Sequence, residues 1–322
     1  MKSMLRHALA AIIAPTLAAL IAVPANAFDE VKITLGASPG SGYDQTGRAL
    51  GKAMLDGGLS KSVKFENQGG AGGTIALAQF ISTNKGAANA LIVTGAAMVG
   101  AIVQNKPPLT LAQATPIARL FYEYNVIVVP ANSPLKSMKD VIDLLKRDPG
   151  TVKWAGGSRG SVDHILVAQI AKAAGVDPTR INYVPFQGGG EASAAIVQGY
   201  VTVGTSGWNE MAPYIKSGQM RALAVSSGGR LPGIDTATLK ELGINVEINN
   251  WRGIYAASGI SAKQKKTIVD AVIAATRQKS WIGALARNDW SPALLSGAEF
   301  DQFVDAEHLR IEASMRAVGL VR

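Results

Sequence analysis

The chain has 322 residues, 48% of them hydrophobic and 17% charged, and no cysteine; it reads as a folded protein too long for one ordinary compact core, so two domains are expected. The missing thiol excludes disulfide frameworks, iron–sulfur clusters, cysteine zinc sites and thiolate catalysis. Formal charge is +9, and removing Lys2 and Arg6 of the N-terminal leader from the 32 basic residues leaves 30 against 23 acids, a balance too small and too scattered for a nucleic-acid footprint.

The leader has a basic start, an apolar run from about Leu9 to Val23 and the small-x-small sequence Ala25-Asn26-Ala27. This is the pattern of a signal peptide over residues 1–27, with the exported mature chain starting at Phe28. No later segment reaches the roughly 18 uninterrupted apolar residues of a membrane span.

From Val31 onward, short apolar strands alternate with helical patterns through glycine-rich joints, the grammar of α/β units around largely parallel sheets. Strand Val31–Ala37 leads through Pro39-Gly40-Ser41-Gly42-Tyr43 to a helix over Asp44–Leu55. Strand Ser62–Glu66 leads through Asn67 to Gly73 to a helix from Thr74. Leu91–Thr94 is a buried strand. After Pro107-Pro108, the long aromatic and β-branched stretch Ile117–Val129 is expected to cross between domains. The grammar then repeats, with helix Ser137–Lys146, strand Val152–Ala155, the loop Gly156 to Gly160, helix Ser161–Ala174, strand Ile181–Pro185, the loop Gln187 to Gly190, helix Glu191–Gln198, strand Val201–Val203 and helix Glu210–Ser217. Strand Met220–Val225 is expected to return to the first domain, followed by a mostly helical end. The predicted lobes are 28–122 with 222–322, and 123–221.

Such strand-to-helix loops gather at the carboxyl edge of a sheet, where helix starts present unpaired N–H groups and partial positive charge, and glycine lets a ligand approach the backbone. Four loops of this kind suggest an anion site. Asp44, Asp163 and Glu191 read as acids capping helix starts; beside an anion they must be tied to backbone donors or they would repel it. Trp208 and Trp251-Arg252 are either cleft wall or packing, and Arg48 reads as a structural partner. The dinucleotide pattern fails after Gly42, since Gln45 and Gly47 fall out of register, and no glycine loop carries the lysine of a P-loop. Two isolated histidines in the mature chain offer no metal site, and no cofactor is expected. A competing reading is an exported serine hydrolase, because Gly156-Gly157-Ser158-Arg159-Gly160 matches G-x-S-x-G between strand and helix. Its partners are poor: His164 lies only six positions on, and His308 sits in a polar C-terminal helix.

Taken together, Pro39 to Thr46 with Arg48, Glu66-Asn67 to Gly73, Gly157 to His164, Pro185 to Ala192, Arg221 to Ala224 and Trp251-Arg252-Gly253 closely resemble the periplasmic receptors of tripartite tricarboxylate transporters, the TctC-like or Bug family. Asp44-Gln45-Thr46 and Ser161-Val162-Asp163-His164 look nearer its tricarboxylate branch. Two positions depart from the family pattern: Ser41 stands where many members have glycine, and Asn84 to Asn89 replace a usual Asp-Gly-Tyr. The resemblance implies an α/β, two-domain periplasmic-binding-protein-like fold of type II, with a cleft between domains joined by crossing strands. It implies no enzyme activity, a monomer, a small organic-acid anion as ligand, and delivery to a large and a small membrane subunit. The implied ligand is a di- or tricarboxylate, citrate first. The implied contacts are Ser41, Gly42, Tyr43, Asn67, Ala71 and Gly72 on one side, and Ser158, Arg159, Ser161, His164, Gly188, Gly189 and Gly190 on the other.

Overall fold

The computed structural model describes residues 27–322, so the leader expected over residues 1–27 lies almost wholly outside the described residues. Helices and strands alternate as β1 (Phe28–Leu35), α1 (Gly42–Asp56), β2 (Ser60–Asn67), α2 (Thr74–Thr83), β3 (Ala90–Gly95), α3 (Ala96–Asn105) and the long β4 (Thr115–Pro130). Then come α4 (Met138–Arg147), β5 (Lys153–Gly156), α5 (Val162–Ala173), β6 (Asn182–Pro185), α6 (Gly189–Val197), β7 (Val203–Gly207), α7 (Trp208–Lys216) and β8 (Met220–Val225). The chain ends with β9 (Asn249–Ala256), α8 (Ala262–Thr276), α9 (Lys279–Arg287), β10 (Ser291–Ser296) and α10 (Gly297–Ala317). Among the described residues no helix is long and apolar enough to cross a membrane.

One strand builds both lobes. From Thr115 to Tyr124, β4 pairs antiparallel with β9, and β10 joins its other edge. From Asn125 to Pro130 it pairs instead with β7 and β8. The first half thus belongs to a sheet containing parallel β2, β1 and β3, and the second half to a sheet containing parallel β7, β5 and β6. A stretch rich in Val, Ile, Tyr and Phe can serve two sheets because successive residues face opposite ways, and both faces of each half are covered.

The sheet change falls between Tyr124 and Asn125, two residues beyond the expected boundary at 122/123. The return differs from expectation. β8 stays paired in the second sheet to Val225, past the expected 221/222 boundary, and the irregular segment 226–248 carries the chain back. It is tied at the crossing, where Ser226 N–H donates to Asn125 O and Ser226 Oγ to Ile248 O. Strands β9 and β10 carry no strand–glycine–helix signal and were not expected, yet β9 pairs with both β3 and β4 at the centre of the first sheet. The expected strand Val201–Val203 lies two to four residues later, as β7.

Burial does not divide as the sheets do: one large cluster runs from Ile33 and Leu50 of the first lobe through Ile127 and Val129 of β4 to Trp154 and Leu166 of the second. The first lobe packs Phe121 against Trp290, with ring centroids 4.1 Å apart, and Trp251 edge-on to Phe300 and Phe303. A smaller cluster of Val126, Val128, Ala155, Ile196, Trp208 and Met211 lies under the second sheet. Fully burying a large aliphatic or aromatic side chain of this kind contributes about 1.5–3 kcal/mol.

Candidate functional site

Three helix starts from the two sheets face one small cavity. Ser41 has extended backbone and caps α1, its Oγ accepting from Asp44 N–H at 3.4 Å. Asp44 in turn accepts from Gly40 N–H at 2.9 Å, Arg48 Nε at 2.8 Å and Asn67 Nδ2 at 2.9 Å. Burial alone would raise its carboxyl, but Arg48, the Gly40 N–H and Asn67 outweigh that and hold it below the usual carboxylate range. This acid is tied, so it leaves the remaining α1 donors to other acceptors.

The second start is α5. Ser161 Oγ accepts from His164 N–H at 3.4 Å, and His164 Nδ1 accepts from Gly160 N–H at 3.2 Å. The imidazole stacks on Tyr183, with centroids 4.3 Å apart, and burial together with Arg159 lowers it to a pKa of about 4. It is therefore a neutral structural acceptor. Asp163 takes the Gly157 N–H at 2.6 Å and the Asn125 amide, yet among the described residues no cation contacts it, and burial pushes its carboxyl up to about 7. The third start is α6, where Glu191 accepts from Gln187 N–H at 3.2 Å and, across the cleft, from Ser38 Oγ at 2.9 Å.

Where β4 changes sheets, Glu123 is buried against the guanidinium of Arg252 on β9 and accepts from Asn250 Nδ2 at 2.9 Å. Burial raises Glu123 and Arg252 lowers it again in part, leaving it above its ordinary value. The Arg252 guanidinium also lies over the Tyr43 ring, 4.7 Å from its centroid. Gly42 is required at this contact, because a Cβ there would stand 2.2 Å from Arg252 Nη2.

The cavity enclosed by these groups has a volume of about 60 Å³, room for a few waters, so the cleft is nearly filled by its own side chains. Ser41, Gly42, Tyr43 and Gly72 line it from the first lobe, and Ser158, Ser161, Gly188 and Gly189 from the second. Ala71 and Arg159 line an adjoining cavity of about 390 Å³ that shares Gly72, Ser158 and Gln187 with the first. Three expected residues are not brought into the cleft. Asn67 braces Asp44 and borders a separate cavity, His164 commits its Nδ1 to Gly160, and neither His164 nor Gly190 borders a cleft cavity. Glu123, Ser206 and Glu210, which sequence reasoning missed, lie in or beside the cavity. The available signal for Glu123 was an acid within an apolar crossing strand.

The site offers main-chain N–H groups, hydroxyls and one buried guanidinium, the equipment of anion capture. Among the described residues Ser158 has no activating base: the nearest histidine by sequence, His164, uses its Nδ1 to accept from Gly160 N–H.

The family model described as "Tripartite tricarboxylate transporter family receptor" matches residues 48–320. A Cupriavidus necator protein described as "UPF0065 protein in gbd 5'region" is 28% identical over 277 residues, covering 82% of this chain and 80% of its own. Protein BugT of Bordetella pertussis is 26% identical over 291 residues, covering 87% and 86%. Among solved structures, the periplasmic binding protein BugD superposes with TM-score 0.82 at 19% identity, over 90% of this chain and 98% of that one. MatC from Rhodopseudomonas palustris with bound malate gives TM-score 0.78 at 22% identity, over 88% and 98%. Rpa4515 of the same organism with adipate gives 0.82 at 20%, over 90% and 97%. With the family match running through both lobes and the fold shared with two-domain periplasmic binding proteins, the chain belongs to the tripartite tricarboxylate transporter receptor family, the TctC/Bug periplasmic solute-binding proteins.

Proposed function

We propose that this receptor captures a small dicarboxylate between its lobes and delivers it to the membrane subunits of a tripartite transporter. The observation that carries the reading is the meeting of the Ser41-capped and Ser161-capped helix starts, one from each sheet, at a single cavity. Each start suits one carboxylate. The lobes close about the sheet change at Tyr124–Asn125 and the return segment 226–248. Export with cleavage after Ala27 accompanies this role.

A dicarboxylate is preferred to citrate because Glu123, Asp163 and Glu210 already place three acids around one guanidinium. A third ligand carboxylate would add like charge to a poorly solvated space. That MatC is described with malate and Rpa4515 with adipate supports the same class. A hydrolase is disfavoured by the commitment of His164 to Gly160.

A thermal-shift screen of the mature protein tests the class. A ligand that binds only the folded state stabilises it by about 2.7 kcal/mol at one hundred times its dissociation constant. That corresponds to several degrees for lobes of this size. Four- to six-carbon dicarboxylates should give that shift, citrate less, and sulfate or phosphate at equal ionic strength little. A shift produced only by amino acids or sugars would refute the dicarboxylate assignment.

A further inference from the structure

The helix start that should receive a ligand carboxylate already holds one belonging to this chain. Gly42 N–H, at the first turn of α1, donates to Glu210 Oε1 at 2.9 Å, and Ser206 Oγ donates to Glu210 Oε2 at 2.6 Å. Gly42 hangs from the first sheet, while Ser206 and Glu210 belong to β7 and α7 of the second, so the contact spans the cleft. The third helix start is fitted to the same group, because a Cβ on Gly189 would stand 2.5 Å from both Glu210 Cδ and Ser206 Oγ. Glu210 is 9% exposed. Its two oxygens thus have the partners expected of a bound carboxylate: a main-chain N–H at a helix start and a hydroxyl.

The charge around it sharpens the point. Glu123 and Asp163 are buried nearby, and Arg252 is the cation facing them. A ligand carboxylate entering the α1 start while Glu210 remained would place two anions on one donor set in a site with little water. Like charges at that range are strongly unfavourable, so one group must leave.

We propose that Glu210 is an internal competitor for the ligand's carboxylate seat: its side chain latches the two lobes through Gly42 N–H, and an incoming dicarboxylate binds by displacing it. The proposal rests on the dicarboxylate reading above. Glu210 then determines selectivity, because a ligand must supply a carboxylate that outcompetes one held at high effective concentration. Affinity is reduced by the cost of breaking the latch.

The test uses the full mature protein and two readouts. Calorimetric titration at pH 7.5 with succinate, malate and adipate should show Glu210→Ala binding at least tenfold tighter than wild type, with Glu210→Gln between them, since the amide keeps an oxygen for Gly42 N–H but loses the charge. Small-angle scattering without added ligand should show a larger radius of gyration for Glu210→Ala than for wild type, with circular dichroism confirming the fold. Unchanged scattering, or unchanged or weaker affinity in both variants, overturns the proposal; a selective loss for malate would instead make Glu210 an acceptor for the ligand hydroxyl. If scattering changes but no variant binds any dicarboxylate, the latch stands and the ligand-class reading fails.

Discussion

The two serine-capped helix starts are built alike and charged differently. Gly40-Ser41 and Gly160-Ser161 each place a glycine at positive φ, +81° and +79°, immediately before the cap. In both, the serine Oγ accepts from the N–H three residues on, and that third residue takes the glycine N–H, through Asp44 Oδ2 in α1 and His164 Nδ1 in α5. A side chain other than glycine would be strained in that left-handed conformation. The difference lies in the charge. The first start closes its acid internally, with Arg48 on Asp44, whereas the second uses a neutral imidazole and leaves Asp163 buried, with no cation in contact among the described residues. The same backbone cradle therefore gives one electrostatically settled half-site and one that titrates.

The largest expected effect comes from removing the cation beside both halves. Arg252→Ala leaves Glu123 buried and unpaired, and chemical denaturation should register a loss of about 3–5 kcal/mol. A loss below about 1 kcal/mol would mean that the pair is hydrated and that the two starts are independent.

Next is the pH response of the second half-site. Asp163 titrates near pH 7 in the fold and near its ordinary value of 3.8 when unfolded. Between those values the folded state holds the extra proton, so this group's contribution to stability falls as pH rises from about 4 to 7 and is flat above. The groups facing it are the Asn125 amide, the Gly157 N–H, Tyr183, Glu210 and Arg252. Asp163→Asn should flatten the fall in melting temperature across that window. The new amide can be satisfied, because Asn125 Oδ1 has no partner and can accept from it once the Asn125 amide turns. Dicarboxylate affinity in wild type should rise as pH drops through 7 and lose that rise in the variant. An unchanged slope would place the titration elsewhere.

Smaller effects probe the shared cradle. Ser41→Ala and Ser161→Ala should each cost about 1 kcal/mol of stability, and by similar amounts, if the two caps are equivalent. Arg48→Ala should cost only about 0.3–1 kcal/mol, since Arg48 is half exposed, with 50% side-chain accessibility, and screened. Denaturation midpoints resolve both. A larger loss at Arg48 would show that Asp44 is less well held by Gly40 and Asn67 than their hydrogen bonds indicate.

The local features of the site were legible in sequence because the features that make them are local. A glycine followed by a serine cap and an acid within four residues specifies a helix start, and the aromatic stretch around Ile117 to Val129 marked the crossing strand. Glu210 and Glu123 were not legible in the same way, and Arg252 was legible only as one of two alternatives, a cleft guanidinium or packing. They meet only through packing that joins residues 168 apart for Gly42 and Glu210, and 127 apart for Glu123 and Asn250. Strand β9 escaped for the same reason: Asn249 to Ala256 holds its place by pairing with β3 and β4, without a flanking glycine joint. His164, whose motif position suggested a ligand contact, accepts from Gly160 N–H through its Nδ1 and lines neither cleft cavity.

The most direct measurement of the two-seat cleft is calorimetric titration of the mature protein with a dicarboxylate and with the matching acid lacking one carboxylate, at constant pH and ionic strength. With one carboxylate held by each helix start, the expected result is one-to-one binding of the dicarboxylate and at least a hundredfold loss for the monoacid. Equal affinity for the two would contradict a ligand held from both sheets.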